Sequence, residues 1–254
     1  MIERLLTRDR VILLGGITVI SALAWAYTVR EARAMQAMHR GMDMTGVLMT
    51  TWTSQDAVFM FLMWTVMMVA MMTPSVAPTL LVYALHSGNL KQQNRPYAPA
   101  GAFLVGYLLV WIGFSLLATA AQWGLQKSAL LSMMMEPTSK LFAGIVLLAA
   151  GIYQWTPLKR SCLQHCRSPL SVLIQHWRPG IGGAVSMGAR HGVYCTACCW
   201  FLMALLFAVG VMNLLWVALL AIFVLIEKAA PRGDIVARVV GVALVAAGLW
   251  LAVG

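Results

Sequence analysis

A chain of 254 residues that is 61% hydrophobic and only 10% charged falls far below the roughly 25% charge of a soluble domain, which excludes an ordinary water-soluble globule. Its net charge of +10 sits in short loops between apolar blocks, so it reads as membrane orientation rather than a nucleic-acid surface, and no nucleic-acid-binding motif accompanies it. Five cysteines, an odd number, argue against a simple disulfide framework.

The apolar blocks approach or exceed the roughly 20 residues that cross a bilayer. The predicted fold class is therefore all-α, a polytopic transmembrane bundle of about seven spans forming one domain. The amino terminus is short and basic (Arg4, Arg8, Arg10), and a first span is predicted over 11–29. Ala24-Trp25-Ala26 fits a signal-peptidase site, but the block is long for a signal segment, so a retained helix is expected. A methionine-rich polar loop is predicted over 30–56. A second span follows over 57–85, with Pro74 and Pro78 expected to kink it or end it early. Further spans are predicted over 100–122 and 141–155, then a basic, cysteine-containing loop over 156–191 with many turn residues. The apolar run 193–226 is too long for one span. A turn near Gly210-Val211-Met212-Asn213 divides it into 193–210 and 212–227. The last span is 235–253.

Charge tests this map. With the amino terminus in the cytoplasm and seven spans, the cytoplasmic side holds Arg4, Arg8, Arg10, Lys91, Arg95, Lys159, Arg160, Arg167, Arg178, Arg190, Lys228, Arg232 and Arg238, thirteen of the 18 basic residues. The positive-inside rule favours this map over a six-span alternative. It places the loop 156–191 in the cytoplasm and the loop 30–56 outside, and the bilayer expected is a bacterial inner membrane.

Sulfur is concentrated in four places. The outer loop carries Met38, His39, Met42 and Met44, with Asp43 among them. Thioethers are soft ligands that suit Cu(I), and imidazole suits copper in either state; a flexible loop with methionine as apolar filler is the competing reading. In the second span Met63, Met67, Met68, Met71 and Met72 fall on adjoining helix faces. They form either a ladder of weak copper sites or a packing seam, and spacing alone favours the seam. Cys162, His165 and Cys166 lie in the basic loop. Cys195, Cys198 and Cys199 share one helix face at i, i+3 and i+4. Cytoplasmic thiols stay reduced, so these groups point to metal binding or redox work rather than structural disulfides. Together with His165 or His191 they suit Cu(I) thiolate, a closed zinc site or an iron–sulfur ligand set. Glu227 is expected either to pair with adjacent Lys228, to face the interface or to act functionally. No HExxH, phosphate-binding glycine loop or nucleophile elbow is present.

Three motifs occur in order. The first is Met63-Trp64-Thr65-Val66-Met67-Met68-Val69-Ala70-Met71-Met72-Thr73-Pro74-Ser75. The second is Gln154-Trp155-Thr156-Pro157-Leu158-Lys159 followed by Cys162 to Pro169. The third is Cys198-Cys199-Trp200, then Gly210-Val211-Met212-Asn213, Glu227-Lys228 and Pro231. Over about 55–235 the chain resembles a bacterial family of predicted metal-binding integral membrane proteins of unknown function. The resemblance supports the methionine and cysteine clusters within it as ligands and leaves the metal open; the methionine-rich loop 30–56 lies outside the matching motifs, so its role rests on its chemistry alone. The expected function is copper(I) handling through methionine and cysteine, with transport or delivery to a partner metalloprotein or metallochaperone as its refinement. The alternatives are a membrane thiol or metal redox factor that matures a partner, and a membrane partner stabilised by zinc.

Overall fold

The computed structural model describes residues 2–41, 52–93, 97–132, 135–168 and 177–253. Among them the chain is helical except for connecting turns and an isolated bridge between Leu131 and Pro137. In chain order the helices are α1 (Ile2–Gly41), α2 (Ser54–Gln92), α3 (Ala100–Lys127), α4 (Lys140–Tyr153), α5 (Pro157–Arg167), α6 (Gly180–Ala204), α7 (Leu206–Val209), α8 (Leu214–Ala229) and α9 (Gly233–Val253).

Several boundaries differ from the sequence reading, each for a local reason. Helix α1 continues through Gly41, so residues 30–41 are helical rather than loop. The segment Arg30 to Arg40 contains no glycine or proline and is dominated by strong helix formers. Helix α2 runs through both Pro74 and Pro78, so neither proline ends it. The stretch read as a basic loop over 156–191 contains α5 and the first part of α6. The break near Gly210 is present: the glycine has φ +93°, and α8 begins after Asn213.

Five stretches are long and apolar enough to cross a membrane: Arg10–Ala37, Ser54–Leu90, Ala100–Lys127, Gly180–Val209 and Gly233–Val253. The α4–α5 pair, bent by 64°, makes a sixth if taken as one broken span. Helices α4, with 14 residues, and α8, with 16, are about 21 and 24 Å long at 1.5 Å per residue. Alone, each is shorter than the roughly 30 Å hydrocarbon layer, which is why the count differs from seven.

Packing follows α1 on α2, α2 on α3, α3 on α6 and α5 on α6, while α8 lies against α2 and α9 against α4. Outer faces are apolar: Val11 and Leu23 on α1, Leu116 and Leu117 on α3, Leu215 and Ile222 on α8, and Val239 and Trp250 on α9 are exposed. Charge goes the other way, with Lys159 and Glu227 fully buried. The α3–α6 seam is a backbone contact. A Cβ on Gly188 would sit 1.9 Å from the Phe103 carbonyl oxygen, and one on Gly106 would sit 2.0 Å from that of Val185. Glycines near residue 188 are therefore packing residues inside a helix.

Gly188→Ala should force α3 and α6 apart at a cost of about 1–3 kcal/mol, lowering the melting temperature in detergent by about 3–10 °C. Gly113→Ala, at an exposed helical position where an added Cβ meets nothing within 4 Å, should leave it unchanged or slightly raised. Equal melting of the two variants would contradict the seam.

Candidate metal centre

Helix α5 starts sharply because Thr156 caps it, accepting a hydrogen bond from the Lys159 amide at 3.3 Å, and Pro157 occupies its first turn. Its buried residues are Lys159, Cys162, Leu163 and Cys166, the i, i+3, i+4, i+7 pattern of an amphipathic helix. That face lies on α6, where Cys195, Cys198 and Cys199 are buried in turn. All five cysteines are free thiols.

The cysteines are neighbours in a row: Cys166 lies beside Cys198, Cys198 beside Cys199, and Cys199 beside Cys195. The run therefore leads from α5 across α6. The Cys198 and Cys199 thiols also donate to the Cys195 carbonyl, at 3.0 and 2.9 Å. Among the described residues no three His, Cys, Asp or Glu side chains gather as a metal-binding group. The thiols form a row of neighbours on two packed helices. Pairs of soft sulfurs fit Cu(I), a soft ion satisfied by two ligands.

One end of the row is charged. Lys228 of α8 turns its ammonium inward and donates to Cys195 Sγ at 2.8 Å and to Ser75 Oγ at 3.2 Å. Ser75 donates to the Met72 carbonyl at 2.9 Å. Tyr107 of α3 donates to the same carbonyl at 3.1 Å and lies 3.1 Å from Cys195 Sγ. The contacts close a ring through Lys228, Ser75, Met72, Tyr107 and Cys195, and the ring ties α2, α3, α6 and α8 together.

The neighbouring carboxylate has a different partner from the one expected. Glu227 pairs with Lys159 of α5, 2.6 Å away, and both side chains are about 1% exposed. Successive residues on a helix point about 100° apart, so Glu227 and Lys228 serve different neighbours. Among the described residues Lys228 has no carboxylate partner. Lys159, counted above as a loop charge, is thus an interior group, and Lys228 is half-buried with its ammonium turned toward the thiols.

The other predicted site residues fall into three sets. Met63, Met67, Met68, Met71 and Met72 are buried and share one continuous core with the five cysteines. Nearby, the Met60 sulfur accepts from Gln122 at 3.6 Å, and Gln122 also accepts from the Trp64 indole at 2.6 Å. His165 stacks on Tyr194, with ring centroids 4.4 Å apart, and its Nδ1 meets the Ser161 carbonyl at 2.8 Å. His191 is buried beside Phe103 and Tyr107. Met42 and Met44 lie outside the described residues, as do the side chains of Met38 and His39. Sequence reasoning missed Tyr107, Ser75 and Lys159 as parts of the centre. The available signal was an ionisable or hydroxyl side chain within or beside an apolar block, which is costly unless partnered.

These features define an all-helical protein with a buried run of thiols. The chain matches the model of the family described as PpoB2, copper chaperone, over residues 61–251. It belongs to that family, and a copper-related role follows. No curated protein and no solved structure shows a significant similarity to the chain. The matched region contains the five cysteines and Met63, Met67, Met68, Met71 and Met72 of α2, and begins after Met38, His39, Met42 and Met44.

Glu227→Gln should leave the Lys159 ammonium buried without its counter-ion and destabilise the protein by about 3–5 kcal/mol. Lys159→Met combined with Glu227→Leu should recover most of that loss. Denaturant titration in detergent distinguishes the cases, and a double variant as unstable as the single one would contradict a pairwise ion contact.

Proposed function

We propose that this protein is an integral membrane copper chaperone that carries Cu(I) on pairs of cysteine sulfurs. The observation that carries the reading is the sulfur run Cys166–Cys198–Cys199–Cys195, ending on the Lys228 ammonium. Two adjoining ligand pairs result: Cys195 with Cys199, and Cys166 with Cys198. The contact between Cys198 and Cys199 links them, so the ion passes from one pair to the next by exchanging one sulfur at a time. Cys162, on the same face of α5, stands beside the second pair. His165 stacks on Tyr194 and is an outer ligand at the entrance to the run.

Membrane insertion is supported by the inverted polarity. Leucine, valine and isoleucine cover the outer faces while an ion pair is buried, the reverse of a soluble domain. The buried stripe Met63, Met67, Met68, Met71 and Met72 gives thioether sites weaker than thiolate. Met38, His39, Met42 and Met44 gather copper ahead of it. Thioether to thiolate is a downhill order for Cu(I), so the cysteine run is where copper rests before transfer to a partner metalloprotein. The bilayer proposed is a bacterial inner membrane.

Full-length protein purified in detergent from copper-supplemented cells should contain about one copper per chain by mass spectrometry. Cys195→Ala/Cys199→Ala and Cys166→Ala/Cys198→Ala should each lose at least half of it while keeping the parent's helical content. Zinc or iron in place of copper, or copper retained without these thiols, would overturn the reading.

A further inference from the structure

We propose that Lys228 makes this thiol site selective for a monovalent over a divalent metal cation. The proposal rests on the copper reading and adds a selection rule to it.

The argument is one of charge in a low-dielectric interior. Lys228 Nζ contacts Cys195 Sγ and Ser75 Oγ, and among the described residues it meets no carboxylate. Around this contact, α3 presents Tyr107, α5 presents Lys159, Cys162 and Cys166, α6 presents His191, Cys198 and Cys199, and α8 presents Glu227. Lys159 and Glu227 cancel as an ion pair at 2.6 Å. Serine and a neutral tyrosine add no charge. What decides the balance is therefore Lys228, the thiolates and the metal.

A monovalent ion on two thiolates leaves one negative charge, which the Lys228 ammonium cancels. A divalent ion on the same two thiolates is already neutral, and Lys228 then stands as an uncompensated buried cation. Buried unpaired charge is strongly disfavoured. A divalent ion would regain neutrality by taking a third thiolate, but no three such ligands gather among the described residues. The ring through Ser75, Met72 and Tyr107 holds the ammonium at the sulfur, so it does not simply swing away. Softness of ligand favours Cu(I) among monovalent ions; the lysine adds discrimination by charge.

The test uses the full-length protein in detergent under anaerobic conditions. Cu(I) affinity is measured by competition with bicinchoninate and Zn(II) affinity by competition with a chromophoric zinc chelator. The variants are Lys228→Met, which keeps the stem, Lys228→Gln, which keeps hydrogen bonding, and Lys228→Arg, which keeps the charge. Both neutral variants should lower the ratio of Cu(I) to Zn(II) affinity at least about tenfold, as expected for one charge a few ångströms away, and Lys228→Arg should restore most of it. A merely structural lysine would change both affinities together and leave the ratio alone. An unchanged ratio in whichever neutral variant folds, with Cu(I) still bound, would overturn the selection rule and leave the copper reading standing. Wild-type protein that binds zinc and no Cu(I) would overturn both.

Discussion

A lysine ammonium inside an apolar bundle needs an anion or strong acceptors, and the architecture around residue 228 is arranged to supply them. Lys228 sits one residue before the end of α8, so the last turn of a short helix carries the charge into the protein. A cation there also meets the negative end of the helix dipole. Cys195 Sγ and Ser75 Oγ take two of its donors. Through Tyr107 and the Met72 carbonyl the same contact reaches α3 and closes on α2. Four helices are registered against each other by one polar ring, which adds to the directional contacts made elsewhere by the Lys159–Glu227 pair and by Trp64 with Gln122.

The buried ion pair complements the ring. Glu227 and Lys228 are adjacent, and the helix turn sends one toward α5 and the other toward α6. Lys159 thereby anchors α5, whose cysteine face must meet α6 for Cys166 to reach Cys198. The bend of 64° between α4 and α5 is what lets an 11-residue helix lie across the bundle. Polar contacts thus fix the relative placement of the two cysteine-bearing helices. Methionines, flexible and polarizable, fill the irregular space on the α2 side.

Much of this was legible beforehand. Apolar block lengths located the helices, the residues around Gly210 located the break, and i, i+3, i+4 spacing put Cys195, Cys198 and Cys199 on one face. Spacing within a helix is a local property, and local properties can be read from one segment. The partners of Lys228 and Glu227 could not, because they depend on which face of α8 meets α2, α5 and α6. Adjacency in sequence suggested that the two would pair; helix geometry points them apart. Gly182 and Gly183 were read as turn residues, yet both lie within α6. Gly188, where α6 touches the backbone of α3, carries no sign of that contact in the sequence, because only the presence of α3 beside α6 reveals it. Pro74 and Pro78 were expected to kink the second span or end it early; α2 runs on through both, packed on α1, α3 and α8.

On the proposed reading the protein has to hold a copper ion firmly and still let go, and a row of sulfurs would reconcile the two demands. A closed four-thiolate cage gives high affinity and slow release, since several bonds must break together. On that reading each sulfur has one or two sulfur neighbours, and an ion held by two of them would move along the row by exchanging one sulfur at a time. The lysine at one end gives the row a direction: a charged terminus at Cys195, and at the other end Cys166 on α5, a surface-skirting helix that carries the partly exposed His165. That second end is also where the fold places sulfur closest to the outside, Cys166 being the most exposed of the five buried cysteines.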